Sequence, residues 1–217
     1  MRLGALALGL AAGLLLGGAA NAAEDPQDGD LRDLRVGMTV EQLPAAGYTD
    51  FACGNDGAAP GEALSGWRDF ARCPADRRGL REVAFAFAES PLAALGDRWE
   101  GTKVAGHPVI PSLLIDEAGV VQGLRIVTDP EARLYLKKKA FLFGLRVMGR
   151  YGRDGWTCTD LPPGDKQPVG GMLIDRRCEK QGHGRRLILE TDLYRAAGQE
   201  GQEFTGGSRL EILSSAG

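Results

Sequence analysis

Leu80 to Ala88 alternates large and small apolar residues, with Val83, Phe85 and Phe87 on one side and Ala84, Ala86 and Ala88 on the other. Such alternation predicts a strand whose large face enters a core and whose alanine face accepts a close neighbour. Tyr48 to Cys53 and Gly66 to Cys73 read as two more strands, joined by a Gly, Ala and Pro segment from Gly54 to Gly61 that packs no core of its own. A third pair, Pro108 to Ile115 and Val120 to Val127 around a turn at Asp116 to Gly119, reads as a hairpin, with Pro108 and Pro111 placing its first strand at an edge. From Asp129-Pro130 the period changes. Leu134, Phe141, Leu145 and Met148 fall on one side of a helical wheel and Leu136, Ala140, Phe143 and Val147 on another, predicting one long helix over about 130 to 151. A helix apolar on two sides is expected to lie between two halves of the protein and touch both. Trp156 to Asp160, a loop from Leu161 to Gly171, Met172 to Glu179, Arg185 to Glu190 and Arg209 to Leu213 complete the strand pattern.

The cysteines give this pattern a repeat. Cys53 and Cys73 are 20 positions apart, Cys158 and Cys178 are 20 apart, and a shift of 105 carries one pair onto the other. The same shift carries Gly47, Gly66, Arg72, Gly79 and Arg81 onto Gly152, Gly171, Arg177, Gly184 and Arg186, giving seven identities from Gly47 to Ala88 where about three arise by chance. Phe51 lands on Trp156, Val83 on Ile188 and Trp99 on Phe204, while Val36, Val40 and Leu43 land on Phe141, Leu145 and Met148. Each copy also follows a strand with a short helix stopped by glycine: Ser90-Pro91 to Leu95 before Gly96, and a helix after Asp192 ending at Gly198. Two copies of one unit are expected. The fold class predicted is α+β: two related units of antiparallel sheet with short helices, sharing the long helix, with one local disulfide per unit. The organisation predicted is a signal peptide at 1–22, an acidic flexible leader at 23–34, a first unit with the extra hairpin at 35–128, and the long helix plus second unit at 129–217.

The beginning of the chain sets the compartment. Arg2, the apolar stretch Leu3 to Leu16 and Ala20-Asn21-Ala22 form the parts of a secretory signal peptide, with no cysteine at the cleavage point for a lipid anchor. The expected mature protein is periplasmic or secreted, soluble and without a membrane span, so cysteine pairing is the default. Three pairings are possible. The repeat favours Cys53 with Cys73 and Cys158 with Cys178, each loop contributing about 3 kcal/mol in the chain-entropy model. Wide spacing and only two histidines argue against zinc. Asp25, Asp28, Asp30 and Asp33 lack the spacing of a calcium loop. A formal charge of −3 for the whole chain predicts no affinity for nucleic acid.

Candidate chemistry is sparse. His107, in Gly106-His107-Pro108, is the candidate catalytic group, with Ser112 and Asp116 nearby in sequence, but neighbours on one strand alternate faces and do not converge by spacing alone. His183 sits in a glycine-flanked turn, and Glu190 and Asp192 share one strand face. The chain carries no phosphate-binding loop, no paired-histidine metal helix and no glycine-flanked serine elbow, and no cofactor is expected. Lys139, Arg146 and Arg150 fall within a narrow arc of the predicted helix, a candidate binding stripe for an acidic protein or an anionic ligand. Trp67, Trp99 and Trp156 are expected to anchor the core.

Val36-Gly37-Met38-Thr39 followed by Gln42-Leu43 predicts a strand end feeding a helix, with Thr39 as N-cap and Gln42 as its capping-box partner, shortened or bent by Pro44. This stretch resembles the start of the small exported modules of the outer-membrane assembly lipoprotein BamE. The tandem of helix-plus-sheet units, each with its own disulfide, resembles the β-lactamase inhibitor protein in architecture. The resemblance implies a non-catalytic exported scaffold that acts by contact, a binding or adaptor protein. The alternative is a small periplasmic enzyme, hydrolase-like, using His107.

Overall fold

The computed structural model describes residues 29–88 and 102–215. The signal peptide, most of the leader, the short helix expected after Ser90, and Trp99 lie outside the described residues. Among the described residues there are nine strands: β1 Tyr48–Cys53, β2 Arg81–Phe87, β3 Lys103–Val104, β4 His107–Ile115, β5 Val121–Thr128, β6 Thr157–Asp160, β7 Ile174–Gly182, β8 Arg185–Tyr194 and β9 Thr205–Ser214. They form one antiparallel sheet in the order β1-β2-β4-β5-β9-β8-β7-β6, with the short β3 paired to β4. Two four-stranded meanders therefore meet through their last strands, β5 and β9, in a register running from Gly123 opposite Leu213 to Val127 opposite Arg209.

This overturns the α+β arrangement of two units sharing a helix. The expected long helix is two pieces, α1 Leu134–Lys138 and α2 Phe141–Arg150. At the break the N–H groups of Lys139, Ala140, Leu142 and Phe143 each bond three residues back, which tightens the turn. Ser208 Oγ on β9 donates to the Ala140 carbonyl at 2.9 Å, tying the break to the sheet. Because the halves share one sheet, no gap between them exists for a helix to fill. α2 lies on one face, over β8 and β9. Phe143 and Val147 are buried there, whereas Leu145, on the other apolar side, is 61% exposed. Gly144 lets the helix sit this low, since a Cβ there would fall 2.9 Å from Thr191 Oγ1.

The core lies on the same side of the sheet as α2. It gathers Leu31, Leu34, Val36, Val40 and Leu43 from the incoming chain, Val83 and Phe85 from β2, Leu113 and Ile115 from β4, Leu124 and Ile126 from β5, Leu187 and Leu189 from β8, and Leu210 and Ile212 from β9. The last residues of the acidic leader take part: Asp30 accepts hydrogen bonds from the Val36 N–H at 2.6 Å and from Arg185, and its carbonyl accepts one from Tyr151. Gln42 Oε1 accepts from the Thr39 N–H at 2.9 Å, the predicted capping contact, but turns replace the helix it would cap. Trp67 is buried against Tyr48, Phe51 and Phe85 and donates to the Pro44 carbonyl. Trp156 is half-buried and packs at the core margin.

Both local disulfides are formed, Cys53 with Cys73 and Cys158 with Cys178. Their settings differ. The first ties β1 to the end of a 3-10 helix, Trp67–Arg72, where a strand was expected; the second joins opposed residues of β6 and β7. The gapless shift of 105 residues also fails on topology. It equates β2 with β8, but β2 is second from its edge and β8 third from the other. It equates Val83 with Ile188, yet Val83 faces the core and Ile188 the opposite side, beside Arg177 and Glu190. The helix expected between Asp192 and Gly198 is replaced by strand as far as Tyr194. β4 is central, not an edge; Pro111 lies within the β5 pairing, opposite Ile126, but just outside the β2 pairing, which starts at Ser112, and Pro108 lies opposite Lys103 of β3.

Candidate functional site

Opposite the core, the second face of the sheet carries charges in cross-strand rows. One row runs Ile110, Val127, Arg209, Glu190, Arg177, Thr159 from β4 to β6. The next runs Ser112, Arg125, Glu211, Ile188, Glu179, Thr157. Period-two alternation puts these side chains on one face because their neighbours in sequence fill the core. Signs alternate along the first row, and in both rows each cation stands opposite a carboxylate one strand away.

Over the first half this face is covered. The loop after β1 turns at Asp56-Gly57, with φ of 53° and 83° and the Ala58 N–H bonded to the Asn55 carbonyl, and folds back across the sheet. Gly57 is buried on Val127, leaving no room for a Cβ. Asp56 reaches Arg125 at 2.9 Å and also bonds Arg209. Arg125 is buried, 6% exposed at its side chain, and holds Glu82 at 2.7 Å and Glu211 at 2.8 Å. Ser112 donates to Glu82 at 2.6 Å. Burial pushes the Glu211 carboxyl up, but hydrogen bonds and charge from Arg209 and Arg125 outweigh it and leave it below the usual range. Desolvation pulls the Arg209 guanidinium down, and Asp56 and Glu211 more than reverse that.

Beyond Arg209 the face is open. Arg177 bonds Glu190 and Glu179, and Arg186 bonds Glu179 at 2.8 Å, all with side chains between 33% and 43% exposed. Two shallow clefts lie here, one of about 290 Å³ lined by Arg125, Arg177, Glu190 and Arg209, the other of about 450 Å³ lined by Thr157, Thr159, Arg177 and Glu179. At the far end Asp192 stands opposite Asp175, which is buried and paired with Lys166 from the loop before β7. Burial, then the nearby Asp175 and Glu190, push the Asp192 carboxyl up to about 6 against the pull of Lys166. Glu190 and Asp192 do share this face, as their spacing implies.

His107 lies elsewhere. It is 6% exposed, edge-on to Phe143, and burial with the charge of Arg146 holds its imidazole below the usual range. The space beside it is about 10 Å³, room for about one water and no substrate. Ser112 points to the opposite face toward Glu82, and Asp116 bonds the Val120 N–H and Gln122 in the β4–β5 turn, so the three do not converge. His183 occupies the two-residue β7–β8 turn with Gly184, both at positive φ. The basic stripe is split by the helix break: Lys139 ends α1, while Arg146 and Arg150 sit one turn apart on α2. Arg146 donates to the Ala105 carbonyl and Arg150 to the Gly29 carbonyl. Both border a cleft of about 340 Å³ floored by Phe87, Ile126 and Phe143.

Sequence reasoning missed the Arg125 cluster and the charged rows. Arg125 within Gly123-Leu124-Arg125-Ile126-Val127 was the available signal, a lone cation in an apolar strand, but its partners come from β2, β9 and the β1 loop. The chain matches no family model, no curated protein and no solved structure.

Proposed function

We propose that this is an exported, non-catalytic binding or adaptor protein of the periplasm or extracellular space that acts through contact with another protein. The observation that carries the reading is the uncovered half of the sheet face, where Arg177, Glu179, Arg186 and Glu190 form a half-exposed lattice of alternating charge beside two shallow clefts. A flat face of this kind suits a protein surface of complementary charge, which fixes register and excludes wrong partners. Two disulfides belong to an oxidising compartment. Among the described residues no helix is long and apolar enough to cross a membrane. The burial of His107 and the separation of Ser112 from it lend no support to a hydrolytic centre.

The test uses the full-length protein recovered from its native envelope and two charge-reversed variants, Arg177→Glu with Arg186→Glu on the sheet, and Lys139→Glu with Arg146→Glu and Arg150→Glu on the helix. Partner capture, quantified by mass spectrometry, is expected to fall in the sheet variant and persist in the helix variant. Equal capture by the sheet variant and the unaltered protein overturns the reading.

A further inference from the structure

The two ends of the sheet are finished differently. At β1 the outer edge is closed: the Cys53 N–H bonds the Glu62 carbonyl at 2.8 Å, the Leu64 N–H bonds the Phe51 carbonyl at 2.8 Å, and the strand register is broken between Thr49 and Ala52. Bulges and covering segments of this kind keep an edge from pairing with other chains. At β6 neither device is present among the described residues. Its register with β7 is continuous from Thr157 to Asp160, it holds no proline, and all four residues are exposed. Its one charge, Asp160, is bonded to Arg176 on β7.

The register says which backbone groups face outward. Cys158 and Cys178 have Cα atoms 4.0 Å apart, the spacing of a closely set antiparallel pair that exchanges no hydrogen bonds. The Leu161 N–H bonds the Asp175 carbonyl at 2.7 Å, which fixes the same alternation. Thr157 and Thr159 therefore spend their amides and carbonyls on β7, and those of Cys158 and Asp160 point away from the sheet. Among the described residues no backbone group pairs with them.

We propose that this edge accepts an extended segment of a partner protein as an added strand. The inference rests on the binding reading above and names where the partner enters. Outward amides and carbonyls give the attraction, as in other strand-addition complexes, and alternate side chains give the selectivity. On the open face the added strand sits beside Thr157 and Thr159 and the cleft they line with Arg177 and Glu179, which favours small or β-branched side chains. On the other face Asp160 favours a basic one. A second copy of the chain is a poorer occupant, since a four-residue edge of about 13 Å supplies little of the broad contact, roughly 1,200 Å² or more, that a stable dimer interface buries.

The probe is a capped heptapeptide, Lys-Thr-Val-Thr-Val-Thr-Lys, with a second version N-methylated on alternate amides so that one edge donates nothing. Amide hydrogen exchange by NMR is expected to slow about tenfold at Cys158 and Asp160 with the plain peptide at saturation and not to change with the methylated one. Asp160→Pro removes an outward donor without touching the β7 ladder and is expected to abolish binding, while Asp160→Ala keeps the donor and binds within about threefold of the unaltered protein. The methylated peptide, used on the unaltered protein, carries the test whether or not the proline variant folds. Unchanged exchange at Cys158 and Asp160, equal binding of the methylated peptide, or protection that rises with protein concentration alone overturns strand addition. If the sheet charge reversal loses the partner while Asp160→Pro retains it, strand addition falls and the face reading stands. If peptide protection is seen but sheet charge reversal leaves capture intact, the face reading falls and strand addition stands.

Discussion

Arg125 is the residue on which the covered half of the sheet turns. Three carboxylates, Glu82, Glu211 and Asp56, converge on one buried guanidinium, and the first two have side chains only 14% and 12% exposed. An ion pair in such a place offsets its own desolvation; removing one partner strands the others. Arg125→Met is expected to destabilise the protein by about 3–5 kcal/mol in urea unfolding, whereas the exposed pair Arg72 with Glu62 contributes at most about 1 kcal/mol to the same measurement. Asp192 makes the opposite contribution. Its carboxyl is raised from 3.8 to about 6, so between those values the folded protein binds the proton that the unfolded chain releases. Stability therefore falls as pH rises from about 4 to about 6, and this group adds nothing further above that. Denaturation midpoints measured across the window are expected to show the decline, and Asp192→Asn to flatten it.

Among the elements, β6 depends most on a covalent bond. Its four residues are all exposed, and beyond the β7 ladder and the exposed Asp160–Arg176 pair it is held by Cys158, bonded to the buried Cys178. Replacing both cysteines by alanine is expected to cost about 3 kcal/mol and to let the amides of Thr157 and Thr159 exchange rapidly while those of β8 and β9 stay protected. What the sequence disclosed at this scale follows a simple division. Period-two alternation located β1, β2, β4 and β5 to within a residue at each end, and the second half of β9, because each turns one face to the core and the pattern records that burial. Cysteine spacing disclosed both bridges. Gly66 to Cys73 was misread as strand because six residues with Trp67 as their one buried side chain leave too short a pattern to separate a 3-10 turn from an extended run. Leu134 and Leu145, on one apolar side of the expected long helix, were misread as part of a second contact; both are exposed, and a wheel does not record exposure. The Arg125 network was illegible for a different reason. Arg125 and Glu82 are 43 positions apart and Arg125 and Glu211 are 86 apart, and nothing local marks them as neighbours.

At the scale of the molecule, the sheet makes the halves one body. The β5–β9 seam pairs five residues, and the core side chains of both strands join one cluster with α2 and the incoming chain. Two independently folding units would melt apart; one sheet should not. Fluorescence of Trp67, in the first half, and of Trp156, in the second, read separately in single-tryptophan variants, is expected to give coincident urea transitions, and two separated midpoints would contradict a shared core. The palindromic strand order has a further consequence for biogenesis. β9 is the latest strand in chain order, yet it occupies the middle of the sheet, where β5 and β8 are both waiting for it. Until its ten residues are in place, β5 and β8 are each left with an unsatisfied inner rim, so closure of the sheet waits on the last of these strands to be made.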